Sequence, residues 1–327
     1  MRTRREMIAA AGSVALVALA QSATAQAVRK RLVGFMVLGR ANWALQGVFP
    51  QALSELGWVE GESVQVEIHD AAGSIERMRG VVEQLLKRQV SVLVTASGTV
   101  TSQAVAATRE VPIVMSASGF DPVEAGWADS YAWPGRNVTG LTLATDEAVG
   151  KQLELLKSAA PTAHHIGLLR SPESQANRSI LERAQAVAKG LGLTTTVALT
   201  GAPDDIDGIV AQLKRNGVDA LLAIADPALD AVRLQIAAAA IRHRLPTAGQ
   251  LPFYADAGFL VTYSADLRLI HRLAATYVDR ILRGASPGVL PIQRPNKFTF
   301  ALNTNTARAL GLTLPPAILA LADEVIE

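Results

Sequence analysis

The segment Thr95-Ala96-Ser97-Gly98-Thr99 sets two hydroxyl side chains and a glycine between the apolar run Val92-Leu93-Val94 and the start of a helical stretch. Hydroxyls and unpaired backbone N–H groups converging on the positive end of a helix are chemistry suited to a carboxylate. Ser97, Gly98 and Thr99 are therefore candidate ligand contacts; the alternative is that Ser97 or Thr99 caps its own helix. The next apolar run, 112–115, ends in Ser116-Ala117-Ser118-Gly119-Phe120-Asp121-Pro122. Ser116 and Ser118 would extend the hydroxyl cluster unless they serve an ordinary turn. Asp121 reads either as a ligand contact or as the cap of a helix beginning at Pro122. In the second half of the chain the run 220–225 ends at Asp226-Pro227, which offers a carboxylate opposite the hydroxyls, or again a helix cap. The two groups together would complement a zwitterion, carboxylate on one side and ammonium on the other. Trp43, in the turn after the first strand, and Tyr263, ending a later one, are candidate aromatic walls, with packing as the alternative for each.

Other chemistries have little to stand on. The sequence has no G-x-x-x-x-G-K phosphate loop, no G-x-S-x-G elbow, no Ser-x-x-Lys and no H-E-x-x-H. His164 and His165 are adjacent on a predicted strand, so their side chains leave on opposite faces and do not chelate one ion. His69, His243 and His271 are isolated and read as structural. The expectation is a protein with no catalytic residues, no metal site and no cofactor.

Of the 327 residues, 50% are hydrophobic and 18% charged, and none is cysteine, which excludes a disordered chain, a disulfide-stapled miniprotein and any thiolate site. Arg2, Arg4 and Arg5 precede an uncharged, mostly apolar run at 7–20, and Ala23-Thr24-Ala25 supplies a small-x-small cleavage pattern. Residues 1–25 thus read as a cleaved export signal, and Arg4-Arg5 ahead of the run resembles the twin-arginine form. The run is shorter than the roughly 20 residues that span a bilayer. Removing 1–25 takes three arginines and one glutamate from 31 Lys+Arg and 29 Asp+Glu, leaving 28 of each. A neutral remainder gives no general electrostatic reason to bind nucleic acid or anionic lipid.

The elements that would position these residues alternate in type. Strand-like runs at 31–38, 63–69, 91–95, 112–115 and 138–143 are separated by amphipathic stretches at 43–56, 74–88 and 99–109. A helix at 147–158 leads into a second series, with strands at 165–169, 194–199, 220–225 and 246–249. A strand at 259–263, a helix at 266–282, a strand at 296–302 and a last helix at 316–326 complete the chain. Such alternation is what parallel sheets with crossover helices require, so the fold class is α/β with two Rossmann-like lobes. The expected division is 28–143 plus 258–286 for the first lobe and 144–257 plus 287–327 for the second.

Several strings resemble the substrate-binding proteins of ABC transporters, in the branch that includes tryptophan-type uptake systems. They are LGWVEG at 56–61, Asp121-Pro122, PGRNVTG at 134–140 and Tyr263-Ser264-Ala265-Asp266-Leu267. Further along come YVDRILRG at 277–284, LPIQRP at 290–295, ALGLTLPP at 309–316 and ADEVIE at 322–327. They run collinearly through residues 30–327. The resemblance implies a type I periplasmic binding protein fold, two lobes joined by three crossings that close on a small ligand. It implies carboxylate contacts at Ser97, Thr99 and the 116–118 turn and an amine contact at Asp226. It also implies a periplasmic receptor, usually monomeric, that serves an ABC permease of the inner membrane. The chain departs from the family pattern at Ser171-Pro172, Ala257-Gly258, Tyr263-Ser264 and Thr99-Val100, so the ligand need not be tryptophan. The alternative use of the same cleft is a sensory module feeding a membrane receptor, with an exported enzyme on the same scaffold as a third reading.

Overall fold

A computed structural model describes residues 30–39, 47–171, 178–200, 205–224 and 227–327. The export-signal reading, Trp43 and Asp226 lie outside the described residues.

The first series is β1 (Arg31–Val37), α1 (Val48–Glu55), β2 (Val64–Asp70), α2 (Ile75–Lys87), β3 (Val92–Thr95), α3 (Gly98–Ala107), β4 (Ile113–Ser118) and β5 (Val138–Thr142). These strands form one wholly parallel sheet in the order β2-β1-β3-β4-β5. β3, β4 and β5 are buried along their whole length, which explains why they read as continuous apolar runs rather than alternating ones. Gly140 has φ +116°, and a Cβ there would run into the Met115 carbonyl, so only glycine lets β5 lie this close to β4.

The second series is α4 (Thr145–Ala159), β6 (His165–Arg170), α5 (Arg178–Gly190), β7 (Thr194–Leu199), α6 (Ile206–Arg215), β8 (Ala220–Ala223), α7 (Pro227–Ala231), α8 (Arg233–Arg242), β9 (Thr247–Gly249), α9 (Phe253–Asp256) and β10 (Val261–Ala265). After it come α10 (Leu267–Leu282), β11 (Phe298–Asn303), α11 (Thr304–Leu310), α12 (Pro316–Leu321) and β12 (Glu324–Ile326). The sheet order is β12-β11-β10-β9-β8-β6-β7, parallel throughout except between β10 and β11.

Two placements differ from the sequence reading. β10 hydrogen-bonds to β9 and β11 in the seven-stranded sheet, whereas the sequence division put 258–286 with the first lobe. The helix that follows it, α10, does return to the first sheet, where it packs on β3, β4, β5 and α1. Local pattern marks a buried strand at 259–263, which the structure has at 261–265, but not the sheet it joins. The last helix stops at Leu321, and residues 324–326 add β12 beside β11. The β-branched pair Val325-Ile326 suits a strand, and Asp323 ties its start by accepting from the Phe300 N–H at 2.8 Å.

α10 shows how distant sequence is drawn into the first lobe. Asp266 caps it by accepting from the Leu269 N–H, and its apolar face buries Ile270, Ala274, Val278 and Ile281. Its outer edge is tied to α1 and the following turn by Arg272 with Glu55 and by the Trp58 indole N–H donating to Asp279 at 2.8 Å.

The chain therefore passes between the sheets three times: from β5 through Leu143 and Ala144 into α4, from β10 through Asp266 into α10, and from 293–297 into β11. α4 packs on β8, β9 and β10, and Gln293 bridges to Leu141 on β5, so each passage is anchored at both ends. Among the described residues no helix is long and apolar enough to cross a membrane.

Candidate functional site

The first two crossings leave from the carboxyl ends of β5 and β10, and β10 runs parallel to β9. The carboxyl edges of both sheets thus meet at the crossings, the place where open α/β sheets take ligands.

On the first lobe, β3 ends at Thr95 and α3 begins at Gly98, with Ser97 as an extended N-cap whose Oγ accepts from the Val100 N–H at 3.2 Å. The Thr101 hydroxyl lies 2.8 Å from that of Thr95 and donates to the Ser97 carbonyl at 2.9 Å, fixing the turn. Gly98 is buried against the Phe120 ring, and a Cβ there would collide with it. Thr99 is half-buried in the first helical turn, and among the described residues its hydroxyl has no hydrogen-bond partner. First-turn N–H groups also lack partners within a helix, so this corner combines a free hydroxyl, backbone donors and a positive helix end.

The β4 end is differently occupied. Ser116 is fully buried, with its Oγ 3.1 Å from His271 Nδ1 on α10. Burial pushes His271 down to about 4, so the ring is neutral, and it packs edge-on to Phe35 with centroids 5.6 Å apart. Ser118 is also fully buried and closes a turn with the N–H and carbonyl of Phe120, both at 3.2 Å. Asp121 accepts from the Val123 and Glu124 N–H groups and, at 2.9 Å, from the Tyr131 hydroxyl. Burial first, then the Asp121 hydrogen bond, pushes Tyr131 up to about 12.

The structure thus brings Ser97, Gly98, Thr99, Ser118 and Asp121 to adjacent strand ends, Phe120 touching both sides. Ser116 is turned inward to His271. Tyr263 lies in mid-strand on β10, stacked on Phe298 with centroids 5.1 Å apart, and burial raises its pKa.

The facing edge holds further polar groups, of which the sequence reading had named only Ser171, as a departure from the family pattern. Ser171 after β6, Thr200 after β7 and Gln250 after β9 are all buried, and the Thr200 hydroxyl has no hydrogen-bond partner among the described residues. Tyr254 donates to Asp230 at 2.8 Å, and the Arg233 guanidinium lies 5.3 Å from the centre of the Phe253 ring. Single polar residues at the ends of short strands carry no periodic signal, which is why spacing did not find them. Arg294, also missed, stands at the third crossing with Tyr131, Asp121, Asp146 and Glu147 around it. A cavity of about 250 Å³ lies beside it, lined by Leu141, Asp266, Ile270, Leu273 and Lys297 among others. No candidate ligand residue lines that cavity. Among the described residues, no group of three or more His, Asp or Glu side chains gathers as a metal site.

Two parallel-sheet lobes joined by three crossings, with polar strand ends at the junction, define a binding protein of the type I periplasmic fold. The profile of the family described as ABC transporter substrate binding protein matches residues 34–326, and the chain belongs to that family. It is accordingly a substrate-binding protein and not an enzyme. A tyrosine-binding protein of Clostridioides difficile (strain R20291) is 21% identical over 264 residues, covering 81% of this chain and 75% of the relative. A conserved domain protein of Vibrio cholerae superposes with a TM-score of 0.83 at 25% identity, over 90% of this chain and 99% of that one. The ABC domain from Streptococcus pneumonia in complex with L-Trp superposes with a TM-score of 0.82 at 21% identity, over 91% and 100%.

Proposed function

We propose that this protein captures an amino acid or a related small carboxylate between its lobes and delivers it to an ABC importer permease from the periplasm. The observation that carries the reading is the α3 corner, where Thr99 has no hydroxyl partner among the described residues and stands beside the capped start of a helix. A carboxylate seated there gains hydrogen bonds and the helix dipole together. The tyrosine-binding relative and the L-Trp complex support an amino acid as the guest. In this reading Ser97, Gly98, Thr99 and the turn through Ser118 and Asp121 hold the carboxylate, and Asp226 on the second lobe takes the ammonium group. Trp43 stands as an aromatic wall. The lobes divide at the crossings, 30–143 with 267–295 against 144–266 with 296–327. The basic start, the apolar run at 7–20 and Ala23-Thr24-Ala25 support export and cleavage.

The test is a thermal-shift screen of refolded protein against amino acids, their amides and simple carboxylates. A ligand at about 100 times its Kd adds roughly 2.7 kcal/mol of stability. A shift with free amino acids that is lost with their amides supports the carboxylate site. No shift from any compound bearing a carboxylate overturns it.

A further inference from the structure

Arg294 is placed where a single side chain can reach both lobes. It lies at the third crossing, two residues after Ile292, whose N–H donates to the Tyr131 carbonyl at 2.7 Å. Toward the first lobe, its guanidinium sits 4.9 Å from the centre of the Tyr131 ring, 3.4 Å from the Tyr131 hydroxyl and 3.7 Å from Asp121. Toward the second, it pairs with Glu147 and lies 3.6 Å from Asp146, both in the first turn of α4. Acidic residues suit a helix N-terminus in any case. That preference does not explain why the same cation also engages the loop that follows β4.

The first crossing is set beside this cluster. Ala144, immediately before α4, has φ +46° and ψ +46°, the left-handed region that a residue with a Cβ enters at a cost. A non-glycine residue holds such a shape only where its surroundings over-determine it. Thr145 Oγ1 donating to the Gly119 carbonyl at 2.6 Å is one constraint, and the Arg294 pairs with the next two residues are another.

We propose that Arg294 is a positioning residue, a hinge clamp that ties the Asp121–Tyr131 loop of the first lobe to the start of α4 in the second and so sets the angle between the lobes. The role in ligand capture rests on the function proposed above, since the turn through Ser118 and Asp121 belongs to that site. Arg is suited to the task because its planar fork addresses several acceptors at once, which a lysine ammonium does less well.

The sequence has no cysteine, so Glu83→Cys on α2 and Gln185→Cys on α5, both exposed, give one spin label per lobe in the full-length protein. Distance distributions are then recorded without ligand for the parent, Arg294→Gln, Arg294→Lys, Glu147→Gln and the Arg294→Gln/Glu147→Gln pair. Arg294→Gln and Glu147→Gln are each expected to shift or broaden the distribution. The double variant is expected to do no more than Arg294→Gln, and Arg294→Lys to recover part of the parent distribution. Distributions that superpose on the parent in every folded variant overturn the clamp. If Arg294→Gln fails to fold, Glu147→Gln, on an exposed side chain, carries the same distance test. The second readout is affinity for L-tyrosine, expected to change roughly two- to tenfold. A parent that binds no L-tyrosine counts against the amino-acid reading, while the ligand-free distances still decide the clamp.

Discussion

At the scale of single residues, Ser97 and Thr99 can be separated experimentally because the structure gives them different employment. Ser97 caps α3 through the Val100 N–H, so Ser97→Ala is expected to cost about 1 kcal/mol of stability whatever it does to binding. Thr99 has no such bond, so Thr99→Val should leave the unfolding free energy from urea titration within roughly 0.5 kcal/mol of the parent. Its ligand affinity should fall by about 1–2 kcal/mol if the hydroxyl meets a carboxylate. Calorimetry on Thr99→Val is therefore the cleaner measurement, and unchanged affinity removes Thr99 from the site. His271 carries a pH prediction. Its folded pKa of about 4 lies below the ordinary histidine value of about 6.5, so the unfolded chain binds the extra proton first. Stability is then full above about pH 6.5 and is lost as pH falls toward 4, by about 3 kcal/mol in all. Urea unfolding at pH 7 and pH 4.5 should show this slope, and His271→Gln should be weaker at pH 7 but flatter between the two. The sequence could not reveal this partnership, because Ser116 and His271 are 155 residues apart and meet only when α10 folds back onto the first sheet.

At the scale of elements, alternation of buried apolar runs with amphipathic helices was enough to read every strand except β12, and most helices. The order of residues also put the hydroxyl-bearing turn at 97–99 at a strand carboxyl end, where the structure has it, whereas Ser116 and Ser118, read as a turn, lie inside β4. What was not legible depended on sheet membership. Val261-Thr262-Tyr263-Ser264-Ala265 has the same buried pattern whichever sheet receives it, and the antiparallel partner β11 that holds it lies more than 30 residues on. The turns at 116–121 were ambiguous for a related reason, since a serine at a strand end satisfies a backbone N–H or a ligand equally well. Glycine is more decisive at this scale. At Gly140, the positive φ and the nearby Met115 carbonyl leave no room for a methyl group, so Gly140→Ala should force β5 away from β4 and cost about 3 kcal/mol or more. A urea midpoint close to that of the parent would show that β5 shifts at little cost.

At the scale of the whole molecule, the proposed capture would depend on a small free-energy difference between an open and a closed arrangement of the two lobes. The lobes have separate sheets, and among the described residues three passages of chain join them. A ligand that touches both edges supplies contacts only when they are close together, and it shifts the population by its differential affinity for that arrangement. A shift from 1:99 to 99:1 requires about 5.5 kcal/mol of such difference, more than one carboxylate hydrogen bond provides. Contacts from both lobes are therefore needed, and loss of either set should abolish closure rather than weaken it in proportion. Small-angle scattering tests this directly. With a ligand found by thermal shift present in excess, the radius of gyration should fall, and Asp226→Asn should remove most of the fall even at concentrations that saturate the first-lobe corner. An unchanged radius of gyration in the parent would mean that the ligand is held by one lobe alone, and the zwitterion bridge between the lobes would then be abandoned.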